Sequence, residues 1–133
     1  MGLKTCIPNQ AKADFLAGIH QTVDQYRLVL YTDKADIDEN TTHYTPQGEC
    51  QGKGYRKGGV PLHNPRTWVD RGAGCLTFDS LTIPNATITA RGFMVINTSK
   101  NDRAVLCVDW GADYVSTEGP FKIPMAADLI AFE

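Results

Sequence analysis

The chain has 133 residues, 42% of them hydrophobic and 21% charged, which is the composition of one globular domain and excludes a disordered chain. Thirteen Lys and Arg against 15 Asp and Glu leave a net charge of −2, so no basic face is expected for nucleic-acid phosphates. No apolar run approaches the roughly 20 residues that span a bilayer, so a single domain over residues 1–133 is expected, with neither nucleic acid nor membrane as partner.

The first eight residues, Met1-Gly2-Leu3-Lys4-Thr5-Cys6-Ile7-Pro8, lack the apolar core of a secretory leader. They read as a candidate N-terminal arm able to reach a neighbouring subunit. A chain that folds where it is made, with reduced thiols, is the expectation. A helix is predicted over 9–23. Asn9 serves as N-cap, Ala11, Phe15, Ile19 and Val23 form an apolar stripe that Leu16 widens, and Lys12, Asp14 and Gln21 face away. Gly18 is a weak point within it, costing about 1 kcal/mol relative to Ala. So short a helix must lie against something else.

Residues 26–32, Tyr-Arg-Leu-Val-Leu-Tyr-Thr, read as a strand. Residues 33–45 carry Asp33, Asp36, Asp38, Glu39 and Asn40 and read as an exposed loop. Short strands are predicted over 49–55 and 60–62, with a bend at 57–59 and a break at Pro65. Further strands follow over 67–71, 74–81, 86–97 and 103–110. The polar run 97–102 makes a hairpin of the last two. Residues 109–120 read as loop and 121–133 as a final strand bent at Pro124. Seven or eight short strands at this spacing argue a β-sandwich or barrel with one helix packed on it. The expected fold is mainly β, an antiparallel jelly-roll-like sandwich with one short N-terminal α-helix.

Motifs for chemistry are weak. The stretch 48–59 holds Gly48, Gly52, Gly54, Gly58 and Gly59, but Gly52-Lys53 is followed by Gly54 and by no helical pattern. A phosphate-binding loop therefore fails, and turns with a bulge in a sheet explain the glycines. Cys6, Cys50, Cys75 and Cys107 make no Cys-x-x-Cys pair, and His20, His43 and His63 stand at no metal-ligand spacing. The run 36–40 offers oxygen ligands to calcium without the spacing of an EF-hand, and reads as a solvated loop. Ser80, Ser99 and Ser116 lie outside any nucleophile elbow. No catalytic residue, metal or cofactor is assigned. The large residues Tyr55, Trp68, Trp110, Tyr114 and Phe121 fall near predicted loops or strand ends. They read either as caps on the open ends of a sandwich core or as anchors of a protein interface.

Several segments recur in a familiar order: Leu28-Val29-Leu30-Tyr31-Thr32, then Gly52-Lys53-Gly54-Tyr55-Arg56-Lys57-Gly58-Gly59, then Ala86-Thr87-Ile88-Thr89-Ala90-Arg91-Gly92. The pair Val95-Ile96-Asn97-Thr98-Ser99-Lys100-Asn101 and Ala104-Val105-Leu106-Cys107-Val108-Asp109-Trp110-Gly111 follows them. Together, from about residue 10 to 130, they resemble small virion structural proteins of tailed bacteriophages. The chain departs from that pattern in its extra cysteines, in Arg56-Lys57 and in the proline-containing stretch 60–65. The resemblance implies a non-enzymatic assembly protein made in the host bacterial cytoplasm and carried on the capsid surface of the virion. It implies a capsid decoration, or cement, protein bound to the major capsid protein, with a homodimer or homotrimer as its form. A neck or tail component and a carbohydrate-binding module for host recognition are the alternatives. Charged and aromatic residues at predicted loops make Tyr55, Arg56, Lys57, Trp68, Arg71 and Trp110 the candidate interface.

Overall fold

The computed structural model describes residues 2–126 and 129–132. The elements are β1 (Gly2–Leu3), α1 (Asn9–Leu16), β2 (Tyr26–Tyr31), β3 (Asp36–Ile37), β4 (Val60–Pro61), β5 (Arg66–Asp70), β6 (Ala73–Thr77), β7 (Leu81–Asn97), a 3₁₀ turn (Thr98–Lys100), β8 (Arg103–Ile123) and β9 (Ile130–Phe132). The chain is mainly β, with antiparallel sheets in the orders β4-β2-β7-β8 and β5-β6-β9, and a parallel β1-β3 pair.

β2 lies inside the larger sheet and is buried on both faces, which is why its sequence runs Leu-Val-Leu-Tyr without polar alternation. Tyr26, Leu28 and Leu30 point into one core with Phe93, Val95 and Phe121, and this core extends to Leu76 and Ile130 of the smaller sheet. Val29 and Tyr31 point the other way, into a second core with Met94, Ile96 and Cys107. Leu3, Cys6, Ala35, Ile37 and Tyr44 cover that second core. Residues 2–8 therefore lie against the chain's own sheet rather than extending from it. Gly2 and Leu3 pair with Asp36 and Ile37, and Cys6 exchanges two backbone bonds of 2.9 Å with Cys107.

α1 is shorter than expected. Pro8, not Asn9, occupies the N-cap position, and no side chain caps the helix. The helix stops because Gly18 adopts φ +74°. Its N–H donates to the Phe15 carbonyl at 3.1 Å, and the Ile19 N–H donates to the Asp14 carbonyl at 2.9 Å, a Schellman closure. Ile19 and Val23 are thus outside the helix, and Leu16 is exposed rather than part of the buried stripe. Asp14, expected to face solvent, is buried.

The β7–β8 hairpin turns where expected, with Asn101 and Asp102 at φ 58° and the Asn97 side chain accepting from the Ser99 N–H at 3.1 Å. β8 then continues through the stretch predicted as loop, pairing back as far as Leu81↔Ile123. Most residues from 111 to 120 are exposed, which explains why their polarity resembles a loop. Irregularities in register accompany the length of this ribbon. At one of them Val105 is the extra residue between the pairs Val95↔Leu106 and Ile96↔Ala104, so Val105 and Leu106 both face the first core. Residues 49–55 form no strand; they lie against the sheet through isolated bridges at Glu49 and Lys53, a bond of 2.9 Å from the Cys50 N–H to the Leu30 carbonyl, and the buried side chains of Cys50 and Tyr55. Residues 121–123 belong to β8 and Ile130–Phe132 form β9, while residues 127, 128 and 133 of the expected last strand lie outside the described residues.

Candidate interaction surface

The six expected interface residues separate into different places. Tyr55 is buried. Its hydroxyl donates to Glu49 Oε2 at 2.6 Å and accepts from the Leu30 N–H at 3.1 Å. Glu49, itself buried, also accepts from the Tyr44 hydroxyl at 2.5 Å and from the Gly58 N–H at 2.9 Å. Tyr55 thus braces the glycine-rich loop from within and presents nothing to a partner, while Arg56 and Lys57 stand exposed on that loop. Trp110 is half-buried, stacked on Tyr114 at 4.7 Å and 9° and tilted against Phe93 and Phe121. Arg91 clamps the backbone excursion that carries it, with Nη2 donating to the Gly111 carbonyl at 3.1 Å and Nε lying 3.4 Å from Asp109 Oδ1. Its role is to fill the irregularity in β8. Trp68 and Arg71 do fall together, on the β5–β6 hairpin. Arg71 and Gly72 form its two-residue turn with φ 48° and 83°, the signature of type I′.

Beside Trp68 lies a groove of about 360 Å³ lined by Phe15, Tyr26, Trp68, Val69, Leu76 and Phe132, among others. Phe15 and Phe132 meet edge-on at 5.3 Å, and a second hollow on their far side includes Leu16. Leu16 is 91% exposed, Val69 78% and Phe132 42%. Scattered apolar side chains are normal on a surface, but a run of them around one groove marks an interaction site. Sequence reasoning missed Leu16, Val69 and Phe132. Leu16 widens the apolar stripe in sequence, yet it falls one position off the line through Ala11 and Phe15 and faces solvent. The adjacent apolar pair Trp68-Val69 in a strand bounded by charges was a legible signal, because neighbouring strand residues cannot both face one core.

Under the groove runs a buried polar network. His20 packs on Phe15 at 4.9 Å. Asn97 Nδ2 donates to Asp24 Oδ2 at 2.9 Å and lies 3.0 Å from His20 Nδ1. Because that amide nitrogen can only donate, His20 Nδ1 accepts and the ring is neutral, with its proton on Nε2. Nε2 faces Asp14 Oδ2 at 3.8 Å, and among the described residues neither atom has a hydrogen-bond partner. Lys100 Nζ holds both Asp24 oxygens at 3.0 and 2.9 Å, and Arg103 Nη1 holds Asp14 Oδ1 at 3.0 Å. Burial pushes the Asp14 and Asp24 carboxyls up, but hydrogen bonds from Gln10 and Arg103, and from Asn97 and Lys100, hold both below the usual range. Burial lowers the His20 pKa against the opposing pull of Asp14 and Asp24. The network ties the segment after α1 to the β7–β8 turn and so fixes the position of Phe15.

A larger hollow, about 780 Å³ and lined by both polar and apolar groups, lies between residues 46–51 and the β7–β8 ribbon. Two of its hydroxyls are engaged: Ser116 Oγ lies 2.9 and 3.0 Å from the Ala86 and Gly119 carbonyls, with one proton to share between them, and Thr87 Oγ1 accepts from the Glu118 N–H at 3.0 Å. In the acidic loop, Asp38 Oδ1 accepts from the Asn40 N–H at 2.8 Å and Glu39 pairs with Lys4 at 3.0 Å. Among the described residues no group of three or more His, Cys, Asp or Glu side chains is placed to hold a metal. No helix among the described residues is long and apolar enough to cross a membrane. No family model, no curated protein and no solved structure matches the chain.

Proposed function

We propose that the chain is a non-enzymatic structural protein of a tailed-bacteriophage virion, a capsid decoration protein that binds the major capsid protein lattice. The observation that carries this reading is the exposed apolar groove formed by Phe15, Val69 and Phe132 with Leu16 beside it. It gives a chain of net charge −2 a surface suited to docking on another protein. The ordered segments that resemble phage virion proteins supply the partner. A core shared between the two antiparallel sheets is in keeping with the jelly-roll-like sandwich such proteins adopt. A protein that binds the assembled lattice and not its separated subunits stabilises that lattice by its binding free energy. Many copies of a modest interface then oppose the pressure of packaged DNA. In this reading the protein is made in the host cytoplasm and ends on the capsid surface.

The test is to mix the purified protein with empty expanded capsids, sediment them and count bound copies. Hundreds per shell, with a raised melting temperature of the shell, are expected. Leu16→Ser and Phe132→Ser, at exposed positions, should weaken binding about tenfold or more without unfolding the chain. No binding overturns the reading, and so does binding of a dozen or fewer copies at one vertex, which would place the protein at the neck or tail. Full occupancy by both variants would remove the groove from the interface.

A further inference from the structure

β5 is an edge strand. β6 covers one side of it, and among the described residues no other strand lies on the other side. Which of its backbone groups are open follows from its turn. In a two-residue hairpin the residues flanking the turn exchange both backbone bonds, and bonded and non-bonded pairs then alternate. Asp70↔Ala73, Trp68↔Cys75 and Arg66↔Thr77 are therefore the bonded pairs of the ladder, while Val69↔Gly74 and Thr67↔Leu76 are the non-bonded ones. Thr67 and Val69 turn their N–H and C=O groups outward, away from β6. Such an edge is usually blunted by lysine, proline, a bulge or a covering loop. The strand Arg66-Thr67-Trp68-Val69-Asp70 holds no lysine, no proline and no bulge, and its charges stand only at its two ends.

We infer that β5 pairs antiparallel with β5 of a second copy of this chain across a two-fold axis at Trp68, fusing two three-stranded sheets into one. The strand's charge order selects that occupant and that direction. Read against itself in reverse, Arg66 falls opposite Asp70 of the second copy and Asp70 opposite Arg66, whereas a parallel copy would set like charges together. The register also meets the backbone requirement. Thr67 of each copy stands opposite Val69 of the other, and these are the residues with outward groups, so both pairs exchange two hydrogen bonds. Trp68 meets its own symmetry mate at a non-bonded pair, where side chains come closest. Arg66 keeps donors for the new contact, since only Nη1 is used, toward Asp79 at 2.9 Å and the Asn64 carbonyl at 3.2 Å. The contact is isologous and closes on itself, giving a dimer and not a filament.

Directly paired side chains share a face, and the registers Val69↔Gly74 and Gly74↔Phe132 put Val69 on the face of the groove. The two-fold axis thus sets two grooves on the same face of the fused sheet, with Leu16 and Phe132 of each copy outside the new contact. The dimer needs no capsid and goes beyond the decoration reading.

Sedimentation velocity across a dilution series tests this. A single added strand pair makes a small interface, so wild-type protein should pass from monomer to dimer between about 1 and 100 μM. Val69→Pro removes an outward donor that the β5–β6 ladder does not use, and should raise the dissociation constant about tenfold or more. Arg66→Asp and Asp70→Arg should each be monomeric alone, and an equimolar mixture should dimerise, because every cross-axis charge pair is then opposite in sign. Far-UV circular dichroism checks that each variant is folded, and the charge-exchange mixture carries the test if the proline variant is not. A wild-type chain that stays monomeric to about 1 mM overturns the inference. So does a trimer, a folded Val69→Pro variant that dimerises undiminished, or a mixture that associates no better than its components.

Discussion

Glu49 is the residue around which the glycine-rich loop closes. Its carboxylate receives the Tyr44 and Tyr55 hydroxyls and the Gly58 N–H, so removing it strands three donors at once. Glu49→Ala is expected to cost about 3 kcal/mol and Tyr55→Phe about 1 kcal/mol, measured by urea unfolding. Equal and small losses would show that Glu49 is not the organising charge. His20 makes a prediction of a different kind. Its folded pKa lies below the ordinary 6.5, so the unfolded chain takes up the proton first. The stability it contributes is complete above about 6.5 and is lost as pH falls from there toward the lower folded value. The Asp14 and Asp24 carboxyls, also held low, add a second loss below their ordinary 3.8. Wild-type protein should therefore melt a few degrees lower at about pH 5.5 than at about pH 7.5, and His20→Asn should show little of that change. An unchanged slope in His20→Asn would place the titrating group elsewhere.

At the scale of elements, what the sequence made legible was whatever local chemistry decides alone. β2 was visible as an unbroken aliphatic and aromatic run, and the β7–β8 turn as a polar break between two such runs. Where tertiary partners decide, the expectations drifted. The 109–120 stretch is strand because its backbone pairs with β7, although its exposed side chains carry no β pattern. The helix ends just before Gly18: a glycine inside an apolar stripe reads as a tolerated defect, but its positive φ makes it the stop. Tyr55 failed as an interface residue for a related reason. A tyrosine amid glycines resembles an exposed loop tip, and only the fold shows the carboxylate it turns toward. Those glycines are there for space as well as for φ. Gly59 has φ +98°, and a Cβ there would lie 2.6 Å from the Leu28 carbonyl oxygen. Gly59→Ala should cost about 2–3 kcal/mol by combining backbone strain with overlap against β2. A loss as small as that of an exposed loop substitution would mean the loop can lift from β2 without penalty.

For the whole molecule, the central question is what covers each face of the larger sheet. The smaller sheet and Phe78 cover the first core. The second has only thin cover, from residues 2–8 and the segments around Ala35, Ile37 and Tyr44, beneath which Val29, Met94, Ile96 and Cys107 are almost wholly excluded from water. An arm meant for a neighbouring subunit would be dispensable to the isolated fold. This segment is not, because it contributes Leu3 and Cys6 to the cover, pairs with Asp36 and Ile37, and bonds to Cys107 through its backbone. Removing residues 2–7 exposes apolar surface worth roughly 25 cal/mol per Å² and strips those backbone bonds, so a loss of about 2–4 kcal/mol is expected. Urea unfolding of the shortened chain reads that loss, and hydrogen exchange should report it in the amides of β2 and β8. If stability is unchanged while attachment to capsids is lost, the segment is an arm after all. If stability falls and the surviving folded fraction still binds capsids in proportion, the segment belongs to the core and attachment belongs to the groove.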